Sequence, residues 1–171
     1  MLVDCDLRRP AVHRVFHLDN LAGVIDVCMD EKRLDEVIVK DVQPNLDVIT
    51  TGGRSKNPTQ NLNSKAFAVM ISELRKRYDR ILIDTPPVAI VSDALVVLPL
   101  VDGSLYALYF NKVRRKTAQI AAQRLLEANV PNLGAVLNGL SGGVGGYYYS
   151  NYYSKSYKSY YVDKSEKGLK G

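Results

Sequence analysis

Two apolar runs in this chain end in aspartate. Ile81, Leu82 and Ile83 lead into Asp84 ahead of Thr85, Pro86 and Pro87, and residues 1–3 lead into Asp4, Cys5, Asp6, Leu7 and Arg8. Aliphatic, β-branched residues bounded by turn formers read as short strands, and the run at 81–83 reads as one buried on both faces. Each strand then delivers a carboxylate to its carboxyl end, where open α/β sheets bind ligands. Carboxylates there suit Mg²⁺, a hard ion that takes oxygen ligands and keeps several waters, and an arginine beside them suits phosphate. At the spacing Asp-x-Asp-x-Arg, the side chains of Asp4, Asp6 and Arg8 share one side of an extended segment, with Cys5 turned the other way into the core. Taken singly, each acid is also explained as a turn former: Asp84 before its prolines, Asp4 and Asp6 beside their own arginines.

Together with the tail, these motifs resemble the bacterial tyrosine kinases (BY-kinases) of capsule and exopolysaccharide synthesis. LVDCDLRRP is similar to the family's Walker A′ motif and ILIDTPP to its Walker B motif. Tyr147, Tyr148, Tyr149, Tyr152, Tyr153, Tyr157, Tyr160 and Tyr161 resemble its C-terminal tyrosine cluster. The two acidic motifs alone also fit the related partition and septum-placement ATPases, and the tyrosine tail separates the two readings. The resemblance implies a P-loop NTPase-like α/β fold, a mostly parallel sheet flanked by helices. It implies ATP and Mg²⁺, and transfer of the γ-phosphoryl group to the tail tyrosines, usually between subunits. On this resemblance Asp84 and Asp6 hold the metal, Asp4 and Asp6 orient or deprotonate the tyrosine hydroxyl, and Arg8 offsets phosphate charge. Asn138, at the end of the last strand, meets the adenine through its amide, although Asn138 before Gly139 is also a strong turn signal. The implied partners are a membrane activator or polysaccharide chain-length regulator and further subunits of a homo-oligomer. The implied location is cytoplasmic, at the inner face of the membrane through such a partner.

One departure carries as much weight as the matches. The family's phosphate loop, G-x-x-x-x-G-K-[ST], occurs nowhere in the 171 residues. In the family it precedes the Walker A′ strand, and here Met1 already lies in that strand. The expectation is therefore the C-terminal part of a kinase domain over residues 1–141, without the first strand and phosphate loop, followed by a Gly/Tyr-rich tail over 142–171. Gly142, Gly143, Gly145 and Gly146 lack the accompanying Lys, so weak or absent ATP binding is expected of this chain alone. In related folds the phosphate-loop strand lies beside the Walker B strand, so exposed apolar surface and unpaired backbone groups are expected there.

The remaining chain supplies elements to carry these residues. Pro10 opens a short helix through Val12, Val15 and Phe16, on which His13 and His17 would share a face at a metal-ligand spacing without a third ligand nearby. A helix is expected over 21–29, a strand over 46–50, and a turn-rich loop carrying Arg54 and Lys56, which reads either as a solvated loop or as a phosphate contact. A core helix follows, with Phe67, Met70, Ile71 and Leu74 on one face and Arg75, Lys76 and Arg77 at its end. Ser92 reads as an N-cap ahead of Asp93, which is placed either in the cap region or near the metal. Residues 103–110 read as a buried strand, 117–126 as a helix with Ile120, Ala121 and Leu125 inward and Arg114 and Arg115 ahead of it, and 134–138 as the last strand.

Composition bounds the alternatives. A content of 46% hydrophobic and 24% charged residues is that of one globular domain. From Tyr147 onward five Lys face one Asp and one Glu, so most of the net charge of +5 lies in a tail too poor in aliphatic residues to offset the entropy of ordering it. No nucleic-acid motif accompanies that charge. Cys5 and Cys28 have no metal-ligand spacing and read as reduced thiols. No apolar run nears the roughly 18 residues of a membrane span. Three functions stay open: a split or truncated tyrosine kinase, a catalytically inactive tyrosine-rich regulator phosphorylated in trans by a complete kinase, and, disfavoured by the tail, a partition-type ATPase.

Overall fold

The acid-ended runs form adjacent parallel strands. In the computed structural model, which describes residues 1–139, β1 (Leu2–Asp4) is followed by three short helices, α1 (Val12–Val15), α2 (Val24–Cys28) and α3 (Leu34–Val37). A hairpin of β2 (Ile38–Gln43) and β3 (Leu46–Ile49) leads through α4 (Pro58–Leu62) and α5 (Lys65–Arg77) to β4 (Leu82–Asp84). Then come α6 (Asp93–Val97), a single 3₁₀ turn, β5 (Ser104–Tyr109), α7 (Arg115–Glu127) and β6 (Asn132–Asn138). The tail and its eight tyrosines lie outside the described residues.

The main sheet has the order β2-β3-β1-β4, with β1 parallel to both β3 and β4. Only β2 runs antiparallel, turning at Asn45 with a positive φ of 63°. β2 has no counterpart among the expected strands: Ile38, Val39 and Val42 alternate irregularly around Asp41, itself at φ 52°. β5 and β6 form a separate parallel pair.

The core forms where α5 lays its apolar face on the sheet. Ser64 caps that helix by accepting the Phe67 N–H at 3.1 Å, and Phe67, Met70, Ile71 and Leu74 are buried with Val3, Cys5, Leu7, Val24 and Ile49. Cys5 points into this core, as its alternation in the strand requires. A smaller cluster of Val88, Ala94, Leu98, Ala121 and Leu125 joins the segment after β4 to α7 and β5, where Arg124 Nη1 donates to the Val88 carbonyl at 2.9 Å.

Several expectations need correction. β4 is not buried on both faces: it sits at the end of the described sheet order with β1 as its strand neighbour, and Leu82 is 66% exposed. Residues 104–109 are half open for the same reason, with Leu105 61% exposed in a two-stranded pair. Ile120 is 45% exposed, on the flank of α7 rather than its inner face. Ser92 does stand at the N-cap of α6, but its side chain makes no cap bond there. α1 ends at Val15, and His17 adopts a positive φ of 54°, so the two histidines do not share a helix face.

Candidate active site

Register brings the two acid-bearing ends together. Leu2, Val3 and Asp4 lie beside Leu82, Ile83 and Asp84, and the Cys5 N–H donates to the Asp84 carbonyl at 2.8 Å. Asp4 and Asp84 therefore end neighbouring parallel strands at the same height, with Asp6 on the turn just beyond.

That turn is not extended. The backbone bends after Asp4 because its carboxylate gathers amides: Oδ1 accepts the Asp6 N–H at 3.1 Å, and Oδ2 accepts those of Ala11 and Val12 at 3.2 and 3.1 Å. Asp6 Oδ1 in turn accepts the N–H groups of Arg8 and Arg9 at 3.2 and 2.9 Å. Asp4, Asp6 and Arg8 consequently do not line one side of a strand, and Asp4 chiefly shapes the loop that carries Asp6.

Arg8 is drawn away to a carboxylate far off in sequence. Its Nε and Nη2 donate to Asp93 Oδ2 and Oδ1 at 2.6 and 3.0 Å, and Nη2 also reaches Thr59 Oγ1 at 3.2 Å. Thr59 Oγ1 donates to Asp93 Oδ1 at 2.6 Å. Asp93 is fully buried here, so three segments meet on one carboxylate: the loop after β1, the start of α4 and the start of α6. Sequence spacing carries no signal for this pairing across 85 residues.

The electrostatics of the acids follow from this crowding. Loss of hydration, then the negative charges of Asp4 and Asp6, push the Asp84 carboxyl up to about 6. Burial raises Asp4 as well, against the pull of its three amide donors. Burial also works to raise Asp93, but hydrogen bonds from Arg8 and Thr59 and the guanidinium charge hold it below the usual carboxylate range. Two raised acids facing each other favour binding of a cation that would relieve them. Among the described residues, no three His, Cys, Asp or Glu side chains are grouped so as to enclose a metal by themselves. Mg²⁺ ordinarily takes one or two carboxylates and completes its shell with water and substrate phosphate, so it needs no such group. Asn138 is exposed at the end of β6 and paired with Tyr109 in the smaller sheet, where its carbonyl accepts the Phe110 N–H at 2.8 Å.

No family model matches the chain. Among curated proteins, the chain is 32% identical over 139 residues to the tyrosine-protein kinase YwqD of Bacillus subtilis, covering 81% of this chain and 59% of YwqD. It spans about three fifths of that relative's length, and 20% of the longer tyrosine-protein kinase ptk of Acinetobacter johnsonii. Among solved structures, the VpsO kinase domain superposes with a TM-score of 0.75 at 33% identity, over 80% of this chain and 68% of that one. The chimerical protein CapA2B2 gives 0.77 at 28% identity, over 80% and 60%. MinD from Pyrococcus horikoshii, solved with Mg-ADP, gives 0.67 at 19% identity over 82% and 57%, a likeness of P-loop NTPase-like fold. With the kinase likeness spanning four fifths of the described and undescribed residues together, the chain belongs to the bacterial tyrosine kinase family.

Proposed function

We propose that this chain is the acid-bearing part of a protein-tyrosine kinase domain that transfers the ATP γ-phosphoryl group to tyrosines of the 142–171 tail and thereby regulates polysaccharide synthesis and export. The observation that supports it most is the side-by-side register of Asp4 and Asp84, with Asp6 on the adjoining turn. Bound Mg²⁺ would neutralise phosphate charge. Asp84 and Asp6 are the residues to hold it, Asp84 because its carboxyl is crowded by like charge and gains most from a cation. In the transfer, a bond forms from the tyrosine oxygen to the γ-phosphorus and the bond from that phosphorus to the bridging oxygen breaks. ADP leaves, and the phenol proton passes to a carboxylate, a task assigned to Asp6. Asp4 holds the loop that aims Asp6. Arg8 is a positioning residue, locked on Asp93 and Thr59, rather than a free phosphate clamp. Asn138 is assigned to the adenine.

The phosphate loop is supplied by polypeptide outside this sequence, from the same gene or from a partner subunit. Its place is the edge of β4 that faces away from β1, where the apolar Leu82 is exposed. A homo-oligomer of complete kinase and a membrane activator or polysaccharide chain-length regulator are the proposed partners. No helix among the described residues is long and apolar enough to cross a membrane; attachment at the inner face of the membrane is assigned to that partner. The absence of the phosphate-loop motif from these residues also favours a second reading, a tyrosine-rich regulator phosphorylated in trans.

Autophosphorylation of the purified chain with labelled ATP and Mg²⁺, beside an Asp84→Ala control and a sample mixed with a complete family kinase, separates them. Tyrosine phosphate that Asp84→Ala abolishes, in the chain alone or once the phosphate loop is supplied in trans, supports the kinase. Label in the mixed sample that Asp84→Ala leaves unchanged supports the regulator, and no label in any sample overturns both.

A further inference from the structure

The loop between β3 and α4 is clamped against the acidic turn. Gly52 donates its N–H to Asn20 Oδ1 at 2.9 Å, and Thr51 Oγ1 donates to the Gly53 carbonyl at 2.7 Å. Gly52 and Gly53 have positive φ of 76° and 103°, the conformation that turns the loop back. Ser55 then donates its N–H to the Leu7 carbonyl at 3.0 Å, and Thr59 receives Arg8 Nη2. One side of the crown is thus fastened to Asn20 and the other to Leu7 and Arg8, the two residues that follow Asp6. Arg54 and Lys56 project from it, exposed, and form no ion pair among the described residues.

What would use them is written in the tail's spacing. Tyr147 to Tyr149 are contiguous, as are Tyr152 with Tyr153 and Tyr160 with Tyr161. Before any transfer the tail is basic, with five Lys against one Asp and one Glu from Tyr147 onward, and two loop cations repel it. Each phosphate adds nearly two negative charges, and in an extended chain it lies about 3–11 Å along the backbone from an acceptor one to three residues away.

We propose that Arg54 and Lys56 dock a phosphotyrosine of a neighbouring copy's tail that stands next to the acceptor tyrosine, so that the first phosphate primes the following ones. This deepens the kinase reading and rests on it. Arg54 supplies a planar fork that matches phosphate oxygens and Lys56 a point charge beside it. Another exposed basic group, Arg114, Arg115 and Lys116, stands at the start of α7, just after β5 of the smaller sheet. It serves as the control.

The test needs no catalysis. Labelled peptides of residues 145–154, unmodified or phosphorylated on Tyr148, are titrated with the full chain and followed by fluorescence anisotropy. The phosphorylated peptide is expected to bind roughly tenfold tighter or more, with the difference shrinking as salt is added. Arg54→Ala/Lys56→Ala should erase that difference, and Arg114→Ala/Arg115→Ala should leave it; circular dichroism checks that both variants fold. Equal binding of the two peptides, or loss in the α7 variant instead, overturns the proposal. Selective binding in a chain that never transfers phosphate would leave the docking point standing while removing the kinase reading beneath it.

Discussion

Replacing Asp93 by Ala removes the carboxylate on which Arg8 and Thr59 converge. Breaking one side of a buried ion pair ordinarily costs about 3–5 kcal/mol, because the remaining charge is left without its partner. Arg8 keeps 35% of its side-chain exposure and recovers some hydration, which places the cost near the lower end. The stranded Thr59 hydroxyl adds about 1 kcal/mol, so the expected total is about 3–4 kcal/mol. For a chain of this size, with a urea dependence of about 2 kcal/mol per molar, the unfolding midpoint at pH 7 should fall by roughly 2 M. Arg8→Met, which leaves Asp93 charged in the interior, should cost at least as much. The double variant Arg8→Met/Asp93→Leu should recover more than half of either single loss, since apolar replacement of a whole pair is often neutral. The pH dependence has a definite sign. Asp93 is held below its ordinary value of 3.8, so its contribution is complete above that value and disappears as pH falls through the lowered one. A midpoint shift below about 0.5 M for Asp93→Ala, or a loss that is the same at pH 7 and at pH 2, would refute the reasoning.

The acids at the strand ends should behave in the opposite sense. With its carboxyl at about 6 against an ordinary 3.8, Asp84 contributes most favourably below 3.8, and that contribution erodes as pH rises through about 6. Carbon-13 NMR should find its midpoint near 6 and see it fall in Asp4→Asn or on adding Mg²⁺, while an ordinary midpoint in the unmodified chain would deny the cluster. Asp84→Asn should accordingly be more stable than the parent to urea at pH 7 and less responsive to Mg²⁺; lower stability there counts against the crowding. Gly23→Ala should destabilise by about 2–3 kcal/mol through overpacking. A Cβ at that position would stand 2.0 Å from the Thr50 carbonyl oxygen and 2.5 Å from the Gly52 nitrogen, backbone atoms that cannot step aside. A cost within about 0.5 kcal/mol in urea unfolding, the range of an ordinary surface change, would show that the β3 loop yields.

The parts of this architecture that were legible in the sequence are those written in local pattern. Two apolar runs closing on Asp4 and Asp84 announced neighbouring strand ends, and Phe67, Met70, Ile71 and Leu74 announced the buried face of α5. Strand β2 escaped notice because a residue at positive φ interrupts its alternation at Asp41. The fate of Arg8 was invisible for a different reason: its partners lie 51 and 85 residues away, and only the packing of α4 and α6 brings them within reach. The bend after Asp4 also defeated alternation, because a carboxylate collecting three backbone amides outweighs the preference of an apolar run to continue extended. The burial expected for Leu82 and Leu105 presumed neighbours on both sides, and strand composition reports a preference for such neighbours rather than their presence.

The position of β1 has a consequence for how the protein is made. It pairs with β3 and β4, the latter about 80 residues further along, where the Met1 amino group meets the Arg80 carbonyl at 3.1 Å. At a synthesis rate of about 5–20 residues per second, roughly 4–16 s separate the translation of β1 from that of β4. Until α5 has followed β3, Val3, Cys5 and Leu7, all destined for complete burial, have no core to enter. β1 gains its second neighbour only once β4 has followed, so until then the nascent chain must keep an apolar segment with a free edge from pairing elsewhere.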